Sequence, residues 1–222
     1  MCSSDLVESI SGYGSRSRDL LESLFEMNLF EIRIDSCLWG QTPMNGLDDG
    51  NTFHNWIKNN IVKNINSKPD IYVQVTVPNE FSPIGNFNIG VTAGIETTMA
   101  PKDWIDGCNK MDLILVSSNF SKEILLNTVY SEVDKLSNKV VATYKVDVPV
   151  EVLFEGVKTS VFNNENRNNG ELSEELNSID SDFCFLFVGN WLKGNLGEDR
   201  KNVGMLIKCF VDAFKDSQDK PA

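Results

Sequence analysis

Three groups of residues in this sequence have the types and spacing to do chemistry. Gly12-Tyr13-Gly14-Ser15-Arg16-Ser17 opens a helical pattern. Paired glycines there let backbone N–H groups approach a phosphate at the positive end of a helix, although a plain strand-to-helix turn needs the same residues. Arg200 and Lys201 follow a loop containing Gly189, Gly194 and Gly197 and precede an amphipathic stretch. Cations at a helix N-terminus are unfavourable by about 0.3–1 kcal/mol unless an anion is bound, so the pair reads either as an anion site or as side chains turned to water, Glu198 and Asp199. The segment 78–123 holds Glu80, Glu96, Trp104 and Asn109 around strand ends. A carboxylate there can orient a hydroxyl or act as a base, and either glutamate can equally be a solvated loop residue.

Other chemistries are excluded. The only histidine, His54, lies in a polar helical stretch, so no multi-histidine metal site forms and a Ser-His-Asp mechanism would have to use His54 itself. Ser117, Ser118 and Asn119 fall between a buried strand and a helix and read as capping residues. There is no nucleophile elbow or Walker loop. The five cysteines are widely spaced without a CxxC, which suggests neither a disulfide framework nor zinc and fits a reducing cytoplasm. A net charge of -12 with scattered basic residues argues against a nucleic-acid partner. No apolar run approaches the ~20 residues of a membrane span, and the N-terminus lacks signal-peptide regions, so a soluble, unexported protein is expected. Asp35, closing the strand after the glycine pair, mimics a dinucleotide fingerprint, but Ser17 replaces its third glycine.

These residues need a scaffold, and the apolar pattern supplies one. Buried strands are expected at 30–35, 70–77, 87–93, 112–118, 148–154 and 183–189, with a poor, short one before Gly12. Helical periodicity runs through 17–27, 52–65 and 121–130, and again through Met205, Leu206, Cys209, Phe210, Ala213 and Phe214. Alternating strands and helices imply a parallel sheet with both faces covered: an α/β, Rossmann-like domain. The stretch 163–182, rich in asparagine and acidic residues, reads as a polar linker. The 222 residues thus divide into a domain at 1–162, that linker, and at 183–222 the first β-α unit of a second Rossmann-like domain. A lone unit of about 40 residues cannot bury its strand, and both ends of the chain are expected to be cut.

Taken together, the segments resemble a GT-B fold glycosyltransferase of the retaining group-1 type over nearly the whole chain. SGYGSRSRDLLESL is similar to the family's glycine loop and first helix. NIGVTAGIETTMAPKDWIDGCNKMDLILVSSNFSKEIL resembles its block of strand, serine-bearing turn and helix. In VPVEVLFEGVKTSVF, the residues Glu155, Gly156, Val157 and Phe162 match the crossing into the second domain, with Lys158 in place of the usual acid. FLFVGNWLKGNLGEDRKNVGMLIKCF resembles the start of the nucleotide-sugar domain. The resemblance implies that Arg200 and Lys201 grip a donor diphosphate with Gly189 close to it, that Gly12 and Gly14 line the acceptor-side cleft, and that Glu96 or Glu80 contacts the acceptor. It implies a nucleotide-sugar co-substrate, no metal, and transfer of a hexose to a glycan, lipid or protein with retention. Two departures stand out: the histidine that many relatives carry in the first domain has no counterpart, and the E-x7-E motif would lie past Ala222. The competing expectations are a non-catalytic glycan- or protein-binding module and an NAD-binding domain.

Overall fold

The computed structural model describes residues 1–40, 42–160, 162–163, 171–181, 183–189, 191, 193–199, 201–217 and 221. They divide into two compact units, Met1–Gly156 and Val157–Ala222.

The first unit is an α/β layer structure with a Rossmann-like parallel sheet. Its elements in chain order are β1 (Cys2–Asp5), α1 (Gly12–Met27), β2 (Arg33–Ser36), α2 (Thr52–Asn60), β3 (Ile71–Val75), a 3-10 turn (Pro78–Glu80), β4 (Phe87–Thr92), α3 (Lys102–Cys108), β5 (Leu113–Val116), α4 (Asn119–Asn127), β6 (Tyr130–Val133), β7 (Val140–Tyr144) and β8 (Val150–Val152). Six strands pair in parallel in the order β2-β1-β3-β4-β5-β8, while β6 and β7 form a separate antiparallel hairpin.

Alternation along the strands sends successive side chains to opposite faces. Ile114 and Val116 of β5 join Ile105 and Cys108 of α3 and Leu125 of α4 in one cluster. Leu115 between them packs on the other face with Val73, Val75 and Val91, against which Tyr13 and Leu20 of α1 also lie. A third cluster surrounds β2, where Ile32 and Ile34 meet Leu21 of α1 and Ile57 of α2. Each of these fully buried aliphatic side chains contributes roughly 1.5–3 kcal/mol.

Several sequence expectations are corrected. The first strand is Cys2–Asp5, earlier than the segment before Gly12, and it lies inside the sheet between the edge strand β2 and β3. Helix α1 begins at Gly12 rather than residue 17, because Ser11 caps it: its hydroxyl accepts the Gly14 N–H at 3.0 Å. The first-turn glycines are therefore helical and not a loop. The hairpin β6–β7 and the short helix α3 were not foreseen.

In the second unit, α5 (Glu171–Asn177) falls inside the stretch expected to be a linker, and α6 (Val203–Phe214) follows the glycine-bearing turn as expected. The expected strand at 183–189 does not form: Phe183 to Gly189 have no ladder partner among the described residues. A strand apolar on both faces needs neighbouring strands, and the described residues of this unit form none. Instead Phe185 meets Phe183 and, from α6, Phe210 and Phe214 with ring centroids 5.1–5.8 Å apart. The second unit is thus a helical and aromatic cluster, not a β-α unit.

Candidate functional site

The order of the strands locates the site. From β1 the chain crosses to β2 on one side, then returns to pair β3 on the other. In an open parallel sheet, a reversal of this kind leaves a crevice outside the carboxyl ends of the two strands. The residues following β1, β3 and β4 therefore build its floor and walls.

The turn after β1 is tightly held. The Ser9 N–H donates to the Leu6 carbonyl at 2.8 Å, and the Ser9 and Ser11 hydroxyls bond at 2.7 Å. Arg18 reaches back from α1 and donates to the carbonyls of Val7 and Ser9 at 2.7 and 3.0 Å. The loop after β2 lies against the same turn: Ile10 N–H donates to Pro43 O and Gly46 N–H to Glu8 O, both at 2.8 Å. Gly14 is buried so close that a Cβ would sit 2.3 Å from the Ser9 carbonyl oxygen, which explains the glycine without any ligand. Gly12 is exposed, with open space where its Cβ would be.

Tyr13 points from the first turn of α1 toward β4. Its hydroxyl bonds Thr92 Oγ1 at 3.0 Å, and the Ala93 N–H donates to it at 3.4 Å. Burial holds the phenol above its usual range, against the opposing pull of those two hydrogen bonds, and the charges of Glu155 and Glu80 add to the rise. The ring meets Trp39, in the loop after β2, edge to face at 5.6 Å and 80°. Trp39 Nε1 in turn donates to Glu80 Oε1 at 3.2 Å, and the buried hydroxyl of Thr76 donates to Glu80 Oε2. Four segments, from α1, β2, β3 and β4, thus converge through Tyr13, Trp39, Glu80 and Thr92.

The expected carboxylates differ. Glu80 has both oxygens occupied and acts in this arrangement as the bracket that orients Trp39. Glu96 is exposed in the loop after β4. In that loop Gly94 takes φ +85°, and the Ala93 carbonyl accepts from Ser117 and Ser121 at 3.0 and 3.2 Å. Ser118 caps α4, accepting the Ser121 N–H at 3.1 Å, so these serines are structural. Arg16 donates to the Leu153 carbonyl at 2.7 Å and pairs with Glu155 at 3.7 Å, tying α1 to the chain after β8. Asp35 lies in β2 in register with Ser4 of β1. Ser17 is fully buried and its hydroxyl has no partner among the described residues.

In the second unit, Arg200 lies outside the described residues. Lys201 is exposed in the turn ahead of α6, and Gly189 is exposed with Phe187 beside it. The buried Asp199 accepts the Val203 N–H at 3.1 Å, placing a carboxylate at the first turn of α6. Sequence reasoning named Asp199 only as a neighbour of the cation pair; it stands four residues before Val203, while the N-cap position is Asn202.

Among the described residues no group of three or more His, Cys, Asp or Glu side chains is placed to share a metal ion, all five cysteines are free, and no helix is long and apolar enough to cross a membrane. The residues missed from sequence were Tyr13, Trp39 and Thr76, whose partners lie 79, 41 and 4 positions away. Compared with known protein families, curated proteins and solved structures, the chain matches none.

Proposed function

We propose that this chain is the acceptor-side part, with the beginning of the donor side, of a retaining GT-B glycosyltransferase, moving a hexose from a nucleotide sugar to a glycan, lipid or protein acceptor in the cytoplasm and without a metal. The observation that carries the reading is the crevice at the β1/β3 reversal. The glycine-bearing N-terminus of α1 follows β1 and Glu80 follows β3, the two strands that border it, while Trp39 and Glu96 follow the flanking strands β2 and β4.

In this reading, catalysis is positioning plus electrostatic stabilisation of the departing diphosphate. Lys201 and Arg200 hold the diphosphate, with Gly189 leaving room for it. Gly12 leaves the first turn of α1 open, with nothing within 4 Å of where its Cβ would be. Glu96 or Glu80 is the carboxylate that contacts the acceptor. Asp199 is a local competitor for the donor anion, because its carboxylate already accepts a first-turn N–H of α6.

The test is to incubate the full-length protein, with a complete donor domain, with uridine, guanosine and adenosine diphosphate hexoses and follow release of nucleoside diphosphate. Turnover that falls with Lys201→Ala and Arg200→Ala supports the reading. Failure of every donor to bind or react refutes it.

One observation favours a second reading. Asp35 lies in the strand next to β1, where a dinucleotide site would put the acid that bonds a ribose. NADH titration followed by fluorescence separates the two, since only the dinucleotide site loses binding on Asp35→Ala and ignores Lys201→Ala.

A further inference from the structure

The Trp39 side chain is held at two points, and each of its partners is held in turn. Its indole N–H is fixed by Glu80, Glu80 is fixed by the buried Thr76, and its ring is braced by Tyr13, whose hydroxyl is fixed by Thr92. Trp39 itself is half-buried, and Leu38 before it is 82% exposed. Trp39 belongs to none of the three core clusters. A half-buried large ring held by one hydrogen bond and one edge-to-face contact at the carboxyl end of the sheet, outside the three core clusters, is a surface prepared for a ligand.

The charges around it select the ligand's chemistry. Glu80 and Glu155 both act on the Tyr13 phenol, and Arg16 is already paired with Glu155. A phosphate is therefore disfavoured beside Trp39. An ionised carboxylate offers about four lone-pair sites, and Thr76 and Trp39 fill two of those on Glu80, leaving capacity for outside hydroxyls. A flat aromatic face next to a hydroxyl-accepting carboxylate suits a neutral ring with C–H bonds on one face and hydroxyls on its rim.

We propose that Trp39, braced by Tyr13, is a stacking platform for a neutral pyranose ring, whose hydroxyls bond the Glu80 carboxylate; this rests on the acceptor-side reading above and makes the acceptor a carbohydrate. Pyranose binding is a property of the first unit and needs no donor.

The experiment titrates the full chain with methyl α-mannopyranoside, methyl α-glucopyranoside, methyl α-galactopyranoside and the corresponding disaccharides. Saturation-transfer NMR and tryptophan emission report binding, with uridine monophosphate as a competitor. Saturation of ring C–H protons by the wild type, retained in Trp39→Phe and weakened about tenfold or more in Trp39→Ala, is the expected result. Glu80→Gln, which keeps the side chain's shape, is expected to weaken binding and shift preference among the epimers. Circular dichroism checks that each variant is folded. The platform is overturned if no pyranoside binds, if Trp39→Ala binds as well as Trp39→Phe, or if uridine monophosphate displaces the sugar. Donor turnover measured on the same samples separates the two ideas: turnover without pyranoside binding removes the platform and keeps the transferase, and pyranoside binding without turnover keeps the platform as a lectin-like site.

Discussion

Replacing Gly14 with alanine tests whether the first turn of α1 is locked onto the turn after β1. The added Cβ would lie 2.3 Å from the Ser9 carbonyl oxygen, 2.5 Å from its hydroxyl and 2.9 Å from the Leu6 carbonyl oxygen. None of these can yield easily, because Ser9 is bonded through its N–H to Leu6, through its carbonyl to Arg18 and through its hydroxyl to Ser11. Helix propensity favours alanine by up to about 1 kcal/mol, while overpacking costs about 1–3 kcal/mol. An overlap with two backbone carbonyls belongs at the upper end, so a net loss of about 2 kcal/mol is expected, or roughly 4–8 °C in Tm. Gly12→Ala is the matched control, since nothing lies within 4 Å of its Cβ, and it should be as stable as the wild type or more so. Urea unfolding followed by tryptophan emission, which reports mainly on Trp39, Trp56 and Trp104 of the first unit, gives both values. Equal stability of the two variants would show that α1 is not held where the structure places it. A retreat of the helix would also stretch the Tyr13–Thr92 bond, so Gly14→Ala should loosen the crevice as well as the fold.

Ser11→Ala removes the hydroxyl that accepts the Gly14 N–H and should cost about 1 kcal/mol by the same assay; an unchanged midpoint would exclude the cap. His54 accepts the Asp48 N–H through Nδ1 at 2.9 Å, and burial, then Arg18, lower its affinity for a proton against the opposing pull of Asp48 and Glu22. A base depressed in the fold contributes stability that is complete above the ordinary value of 6.5 and is lost as the pH falls through its lower folded value. The wild type should therefore lose more stability than His54→Gln between about pH 7 and pH 5, and parallel pH profiles would contradict this. Burial pushes the Cys108 thiol up to about 12, whereas Cys184 and Cys209 are exposed. A thiol-disulfide reagent should label the latter two rapidly and Cys108 only on unfolding, with mass spectrometry assigning the sites.

The strands most legible in the sequence were those apolar on both faces. Ile71–Val75, Phe87–Thr92 and Leu113–Val116 all fall within their expected runs, because parallel strands covered on both sides leave little room for polar residues. Cys2–Asp5 broke that rule with small polar residues and could not be read as an inner strand. The hairpin was hidden by weak alternation, although its turn carried a cue: Asp134 accepts the Leu136 and Ser137 N–H groups, and Asn138 takes φ +53°. The glycine pair was visible, but the reason for Gly14 was not, since the Ser9 carbonyl approaches it only once the chain has turned. Tyr13, Trp39 and Glu80 meet across 41 positions or more of sequence for the bonds that matter most, and no local pattern encodes such a meeting.

The place of β1 between β2 and β3 also sets a schedule. Cys2 pairs with Tyr72, so once β1 is made it must wait for β3 until some 70 more residues exist. At the usual rates of synthesis that wait lasts roughly 4–14 s. A greasy strand exposed for so long would invite association with other nascent chains, whereas Cys-Ser-Ser-Asp has little to offer them. The small polar residues that obscured this strand in the sequence let it wait in water for its partner.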